Sequence, residues 1–151
     1  MRLIDVGHKF GLETASIFRP LNPVVHRSIS IAGVEDLAKN GEVDLISFGG
    51  GGDIHPSLYG HRNVGTHCGD SPSYRDLFEL EVWKIAQKYQ LPVLGICRGA
   101  QLACALSGGE LIQDIDHRHN NKHIMETFDG KFVPMTSAHH QMMHPYRIKD
   151  F

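Results

Sequence analysis

A cysteine stands between two glycines at the point where an apolar run ends. Residues 95 to 99 read Gly-Ile-Cys-Arg-Gly, with Cys97 at the centre. In this pattern, a nucleophile elbow, the glycines allow a very tight turn that exposes the nucleophile at the top of a sheet. A helix N-terminus behind the sulfur favours the thiolate, and the N–H of Arg98 would bind an oxyanion. We therefore predict that Cys97 is a nucleophile that attacks a carbonyl carbon.

A thiol nucleophile needs a base, and the segment "TSAHHQMMH" at 136–144 offers two histidines. It follows an apolar stretch, 131–135, that predicts a strand. His139 or His140 at the end of that strand would reach a sulfur at the end of a neighbouring strand. Spacing alone does not choose between the two.

The elements around these residues alternate between strand and helix. Apolar runs predict buried strands at 43–48, which ends in four glycines, and at 91–96. Apolar spacing of three to four predicts a helix from Ser73 to Tyr89, capped by Ser73 and Asp76, and further helices end near residues 40 and 108. "ELIQDI" and "KFVPMTSA" predict later strands around a histidine-rich loop, 116–126. The pattern indicates an α/β domain with a mainly parallel sheet that binds ligands beyond the carboxyl ends of its strands.

Composition narrows the class of protein. The 151 residues fit one domain, and the net charge of −2 gives no reason to expect nucleic acid as a partner. No apolar run approaches the roughly 20 residues needed to span a bilayer, and the N-terminus lacks the apolar region of a signal peptide. The cysteine count of 3 is odd, and the spacing forms no disulfide framework. We therefore expect a reduced, cytoplasmic protein without membrane contact.

Several segments in order resemble the class I glutamine amidotransferase superfamily, in its γ-glutamyl hydrolase-like (peptidase C26) branch. They are "FGGGGDIHPSLYG", "RDLFELEVWKIA", "LPVLGICRGAQLACALSGGELIQDI" and "TSAHHQ", within about residues 43–141. The resemblance implies a flavodoxin-like fold over residues 1–151, with no cofactor. It also implies that the cysteine attacks a γ-glutamyl amide of glutamine or another small molecule to give a thioester.

The resemblance also assigns roles to individual residues. Cys97 takes the position of the nucleophile, and the "SAHHQ" segment at 137–141 puts His139 forward as the base, with His140 the adjacent alternative and a substrate contact. Gly50 and Gly51 join Arg98 as oxyanion donors, in a glycine loop where Gly49 replaces the usual proline. Gln101 would line the substrate pocket. Arg75 and Asp76 start the long helix, and from their residue types they are interpreted as a capping and salt-bridge pair. The resemblance implies the alternative that this "RD" faces the substrate pocket.

The orienting acid is where the sequence departs from the family pattern. The family places an acid in an H-P-E-like segment well after the predicted base, whereas the sequence given ends at Phe151, about a dozen residues past His139. His144-Pro145 is followed by a tyrosine and lies too close to be that segment. Two interpretations stay open: the last elements of the domain are missing from the sequence, or the acid is absent.

Other signals are weaker. The glycine run lacks the Lys-Ser/Thr of a phosphate loop. His117, His119 and His123 have a spacing that can converge on zinc. A polar loop over the active-site face is the favoured interpretation, because the resembled family often carries histidines after "QDI", and we expect no metal. Three functions remain: a glutaminase that passes ammonia to a synthetase or ligase, a free-standing γ-glutamyl hydrolase, and a non-catalytic domain that has lost its acid.

Overall fold

Four parallel strands form the main sheet. The fold is taken from a computed structural model, which describes residues 1–10, 14–27, 29–115, 121–137 and 139–144. The strands lie in the order β2-β1-β3-β4 and all neighbours pair in parallel. Their bounds are β1 Arg2–Asp5, β2 Val24–Arg27, β3 Leu45–Phe48 and β4 Val93–Gly95. Phe48 pairs with Gly95, so the glycine loop after β3 and the turn after β4 leave the sheet side by side.

Among the described residues, three α-helices flank this sheet: α1 (Ile31–Lys39), α2 (Tyr74–Lys88) and α3 (Arg98–Leu106). The predicted cap of α2 is present: the N–H of Asp76 donates to Ser73 Oγ at 3.1 Å, and the N–H of Ser73 donates to a carboxylate oxygen of Asp76 at 2.8 Å. This reciprocal pair satisfies backbone donors that the first turn leaves unbonded. Short 3₁₀ turns occur at Gly7–Phe10, Ala15–Leu21 and Pro56–Tyr59.

The inner face of α2 packs into the core, as its apolar spacing predicts. Phe78, Val82 and Ile85 are buried, whereas Tyr74 is 66% exposed and lies beside the ring of Phe10 instead of the sheet. Two carboxylates of the same helix, Asp76 and Glu79, are also fully buried, which the apolar pattern does not predict.

The later strands stay outside the main sheet. They are β5 (Glu110–Ile112), β6 (Asn121–Glu126), β7 (Phe132–Ser137) and β8 (Met142–His144). β5 pairs with β8 and β6 with β7, both antiparallel. The prediction of a loop over 116–126 is therefore wrong for 121–126, because pairing with β7 supplies a ladder that a polar sequence does not reveal; residues 116–120 lie outside the described part of the chain.

The predicted fold class, a mainly parallel sheet flanked by helices, is confirmed. Within the described ranges, no helix is both long and apolar enough to cross a membrane.

Candidate active site

The turn from β4 into α3 holds Cys97 in a strained backbone conformation. Its φ is 54° and its ψ −113°, a region that residues with a side chain rarely occupy. The side chain is exposed, and the residue directly precedes α3. Helical hydrogen bonding begins with the N–H groups of Gly99, Ala100 and Gln101, so Arg98 contributes an N–H of the first turn. The predicted strand, turn and helix are thus all present around the thiol.

The two glycines of the elbow allow the backbones to approach closely. A Cβ on Gly95 would lie 2.5 Å from the backbone nitrogen of Ala100, and one on Gly99 would lie 2.6 Å from the carbonyl carbon of Phe48. Real Cβ atoms do not come this close to backbone atoms. Both positions therefore require glycine for α3 to start this close to β3 and β4.

The glycine loop after β3 lies against Cys97. A Cβ built on Gly50 would be 3.5 Å from the Cβ of Cys97 and 3.8 Å from its Sγ. Gly51 has a φ of 140°, which favours glycine. Sequence-predicted donors from two different loops, Gly50 and Arg98, are thus brought to the same thiol.

Below the elbow, α2 carries a buried network of ion pairs. The Arg98 guanidinium, 2% exposed, binds both Asp76 and Glu79. The second oxygen of Glu79 accepts from Arg75 Nε at 2.7 Å. The salt-bridge pair predicted between Arg75 and Asp76 is therefore wrong: each binds another partner, although Asp76 does cap the helix. The sequence does not identify Glu79 as part of this network, because its only signal there is the i,i+4 spacing from Arg75.

A cavity of about 250 Å³ opens beside the thiol. It is lined by Cys97, Ala100, Gln101, His139, Gln141, Met142 and Met143. Gln141 is only 2% exposed, and neither atom of its side-chain amide has a hydrogen-bond partner among the described residues.

The imidazole of His139 is held by a backbone carbonyl. Its Nδ1 lies 2.8 Å from the carbonyl oxygen of Gln141. Because a carbonyl only accepts, Nδ1 carries the proton and a neutral ring leaves Nε2 free to take one.

The other histidine of the pair has different neighbours. His140 is 7% exposed and its Nε2 lies 2.9 Å from Asp53 Oδ2, while its Nδ1 lies 3.5 Å from Asp114 Oδ1. Its ring stacks on that of His67 at 4.1 Å. His140 is not among the residues that line the cavity, and its substrate contact stays a prediction.

A metal ligand set has one candidate in the described residues. Asp53, His67 and His140 each offer a ligand atom, all within 4.8 Å of one another. The imidazole rings of the two histidines are stacked, with planes 18° apart. Of the predicted zinc candidates, His117 and His119 lie outside the described residues, and His123 lies in β6.

Similarity to known proteins agrees with this architecture. The sequence model of the family Peptidase C26 matches residues 32–148. The glutamine amidotransferase-like protein YvdE of Lactococcus lactis subsp. lactis is 40% identical over 83 residues, which are 54% of this chain and 35% of that protein. The carbamoyl phosphate synthase small chain of Pyrococcus furiosus is 23% identical over 148 residues, 87% of this chain and 40% of that one.

A solved structure shares the fold. A glutamine amidotransferase from Thermotoga maritima superposes with a TM-score of 0.58 at 16% identity, over 97% of this chain and 64% of that chain. The site and the fold define a protein of the class I glutamine amidotransferase superfamily, with a thiol at a nucleophile elbow. More narrowly, the chain belongs to the Peptidase C26 family. Its matched segment is about a third of the length of YvdE.

Proposed function

We propose that this protein hydrolyses a γ-glutamyl amide through a thioester, with Cys97 as nucleophile and His139 as base and acid. The observation that carries the proposal is that an exposed thiol on a strained elbow and an imidazole with a fixed tautomer line one cavity. Strain of this kind persists where the surrounding structure enforces it, and it is common at active sites.

Acylation begins when the Cys97 sulfur, having lost its proton to His139 Nε2, attacks the amide carbon. The carbonyl oxygen becomes an oxyanion, which the N–H groups of Arg98 and of Gly50 or Gly51 stabilise. When the C–N bond breaks, His139 returns the proton to the departing nitrogen, which leaves as ammonia or an amine. The γ-glutamyl group remains on the sulfur as a thioester.

Deacylation repeats these steps with water. His139 Nε2 takes a proton from the water as its oxygen attacks the thioester carbon, and the same N–H groups hold the second oxyanion. The C–S bond then breaks and the proton returns to the sulfur. The products are a free γ-carboxyl group and the original thiol, so atoms and charges balance.

The fate of the nitrogen divides the proposal into two versions. The glutaminase version, in which ammonia passes to a synthetase or ligase, gains support from the similarity to a chain named as the small chain of carbamoyl phosphate synthase. The free-standing hydrolase version gains support from the match to Peptidase C26. We favour glutamine as the substrate and a separate acceptor chain.

The test measures two reactions with the full chain: ammonia release from glutamine and p-nitroaniline release from γ-glutamyl-p-nitroanilide. We expect Cys97→Ser to abolish both, and Cys68→Ser, which changes a second free thiol away from the cavity, to leave both intact. His139→Asn should lower kcat by about 10²–10⁴-fold, the usual contribution of a general base.

The outcomes separate the alternatives. Turnover of γ-glutamyl amides by the chain alone supports the hydrolase, and glutamine turnover that rises only with a partner supports the glutaminase. Full activity in His139→Asn would mean that another group is the base. A wild-type protein that neither turns over these substrates nor reacts at Cys97 with diazo-oxo-norleucine would establish the non-catalytic domain instead.

A further inference from the structure

The side chain of Arg75 binds the backbone of the glycine loop. Its Nη2 donates to the carbonyl oxygen of Gly50 at 2.8 Å and to that of Gly49 at 3.2 Å, while its Nε donates to Glu79. The guanidinium also lies 4.9 Å from the centre of the Phe10 ring. The side chain is only 14% exposed, so an aromatic ring, a carboxylate and two carbonyls fix its position.

These contacts determine where the loop N–H groups point. In a planar trans peptide, the carbonyl oxygen and the N–H of the next residue point in opposite directions. Holding the Gly49 oxygen therefore turns the Gly50 N–H away from Arg75, and holding the Gly50 oxygen does the same for Gly51. Glycine does not restrict these dihedrals by itself, so an external contact must do so.

We propose that Arg75 is a positioning residue, which orients the Gly50 and Gly51 N–H groups as oxyanion donors beside Cys97. The loop lies beside the thiol, since a Cβ built on Gly50 would come within van der Waals range of the sulfur. A cation on the carbonyl side of a peptide also polarises it and strengthens its N–H as a donor. The catalytic part of this inference rests on the proposed function, whereas the orientation of the loop does not.

The same contacts join the loop to the elbow. Glu79 is completely buried, with one carboxylate oxygen on Arg75 and the other on the side chain of Arg98. One residue of α2 thus connects the two backbone segments that would hold the oxyanion. A rigid connection is what such donors need, because they stabilise charge best when they do not have to reorganise.

The variant Arg75→Gln removes the contacts to the loop and leaves Glu79 paired with Arg98. Arg75→Lys keeps the charge but offers one nitrogen in place of the several of the planar guanidinium. The lysine can therefore bind the loop or Glu79, but it cannot hold both in this geometry. The matched control is Lys84→Gln, which removes an exposed ion pair with Glu81 from the same helix.

The first measurement is the NMR order parameter of the Gly50 and Gly51 amides in the full chain. The order parameter is about 0.85 in rigid backbone and below about 0.6 in flexible backbone. We expect Arg75→Gln to lower it at both glycines from the first range towards the second, because the variant removes the contacts to the Gly49 and Gly50 carbonyls. The order parameters of α1 should stay as in the wild type, and Lys84→Gln should change neither segment.

The second measurement is the kinetics of γ-glutamyl-p-nitroanilide hydrolysis. Removing one oxyanion donor costs about 10²–10³ in kcat, so misaligning donors should cost about 10–100-fold. The value of KM should change by less than about threefold, since the contact forms only in the transition state. Arg75→Lys should recover part of the loss. Alkylation of Cys97 by iodoacetamide, which forms no oxyanion, should keep its rate.

Lower order parameters in the loop together with the loss in kcat support the inference. Unchanged order parameters overturn the orienting role, and lower ones with an unchanged kcat overturn the catalytic one. A parallel loss of alkylation would also overturn the catalytic role, because the elbow itself would then be disturbed. Should the wild type neither hydrolyse γ-glutamyl amides nor react with diazo-oxo-norleucine, the proposed function fails, and the order parameters alone decide the orienting role.

Discussion

Relieving the backbone strain at Cys97 should stabilise the protein while removing the thiol. The φ of 54° and ψ of −113° place this residue where a Cβ is unfavourable, at a cost of about 1–3 kcal/mol. Glycine accepts this conformation but gains more freedom in the unfolded chain, which offsets about 0.5–1 kcal/mol. We therefore expect Cys97→Gly to raise the free energy of unfolding by about 1 kcal/mol.

The comparison that isolates strain is between glycine and alanine at the same position. Cys97→Ala also removes the exposed sulfur but keeps the Cβ, so its free energy of unfolding should stay within about 0.5 kcal/mol of the wild type. At an ordinary helical position, alanine is more stabilising than glycine. Ala100→Gly in α3 should therefore lower the free energy of unfolding by about 1 kcal/mol.

Urea unfolding at neutral pH, followed by the single tryptophan, measures all four proteins. We expect glycine to give the more stable protein than alanine at residue 97, and alanine to give the more stable protein than glycine at residue 100. If the glycine variant at 97 is the less stable of its pair, the strain is not an energetic feature of the fold and the reasoning is refuted. Both variants at 97 should be inactive towards γ-glutamyl amides.

Three further outcomes follow from the packing and the titrating groups. Gly99→Ala should lower the free energy of unfolding by about 3 kcal/mol in urea melts, because its Cβ would meet the β3 backbone. Gly52→Ala has open space around it and should change the same quantity by less than about 0.5 kcal/mol. Burial, with smaller contributions from nearby acidic groups, raises the pKa of Tyr59 to about 12. The folded state thus keeps this proton between pH 10 and 12, where the unfolded chain loses it. The Tyr59 contribution to the free energy of unfolding should therefore fall there by about 1 kcal/mol after allowance for partial exposure, and the slope in Tyr59→Phe should be smaller by that amount. Burial also raises the pKa of the Cys104 thiol. Iodoacetamide should therefore modify Cys97 in the native protein and Cys104 only after unfolding, as measured by peptide mass spectrometry. Equal rates of modification would contradict the burial of Cys104.

The spacing of residues close together in the sequence predicted the elbow and several helix ends. The G-x-C-x-G pattern predicted a strand, a tight turn and a helix, and in the fold both of its glycines stand where a Cβ would clash with the neighbouring backbone. Two helix ends could also be predicted, since caps act between neighbours in the sequence. They are the start of α2, capped by Ser73 and Asp76, and the end of α1 at Asn40 and Gly41.

Other features depended on contacts between residues far apart in the chain. Glu79 lies on the same helix as a stripe of apolar side chains, and only its burial against Arg98, 19 residues away, explains a carboxylate there. Likewise, the spacing of His139 and His140 did not by itself choose between them. The folded chain turns His139 to the cavity and pairs His140 with Asp53, 87 residues away.

The sequence by itself determined which residues would surround the thiol in the elbow, because the steric demands of that turn are local. Tertiary structure alone decided that α2 links the elbow to the glycine loop through Glu79 and Arg75. The physical reason is burial: a charge withdrawn from water needs a partner, and the partners available at α2 are set by how the strands and helices pack.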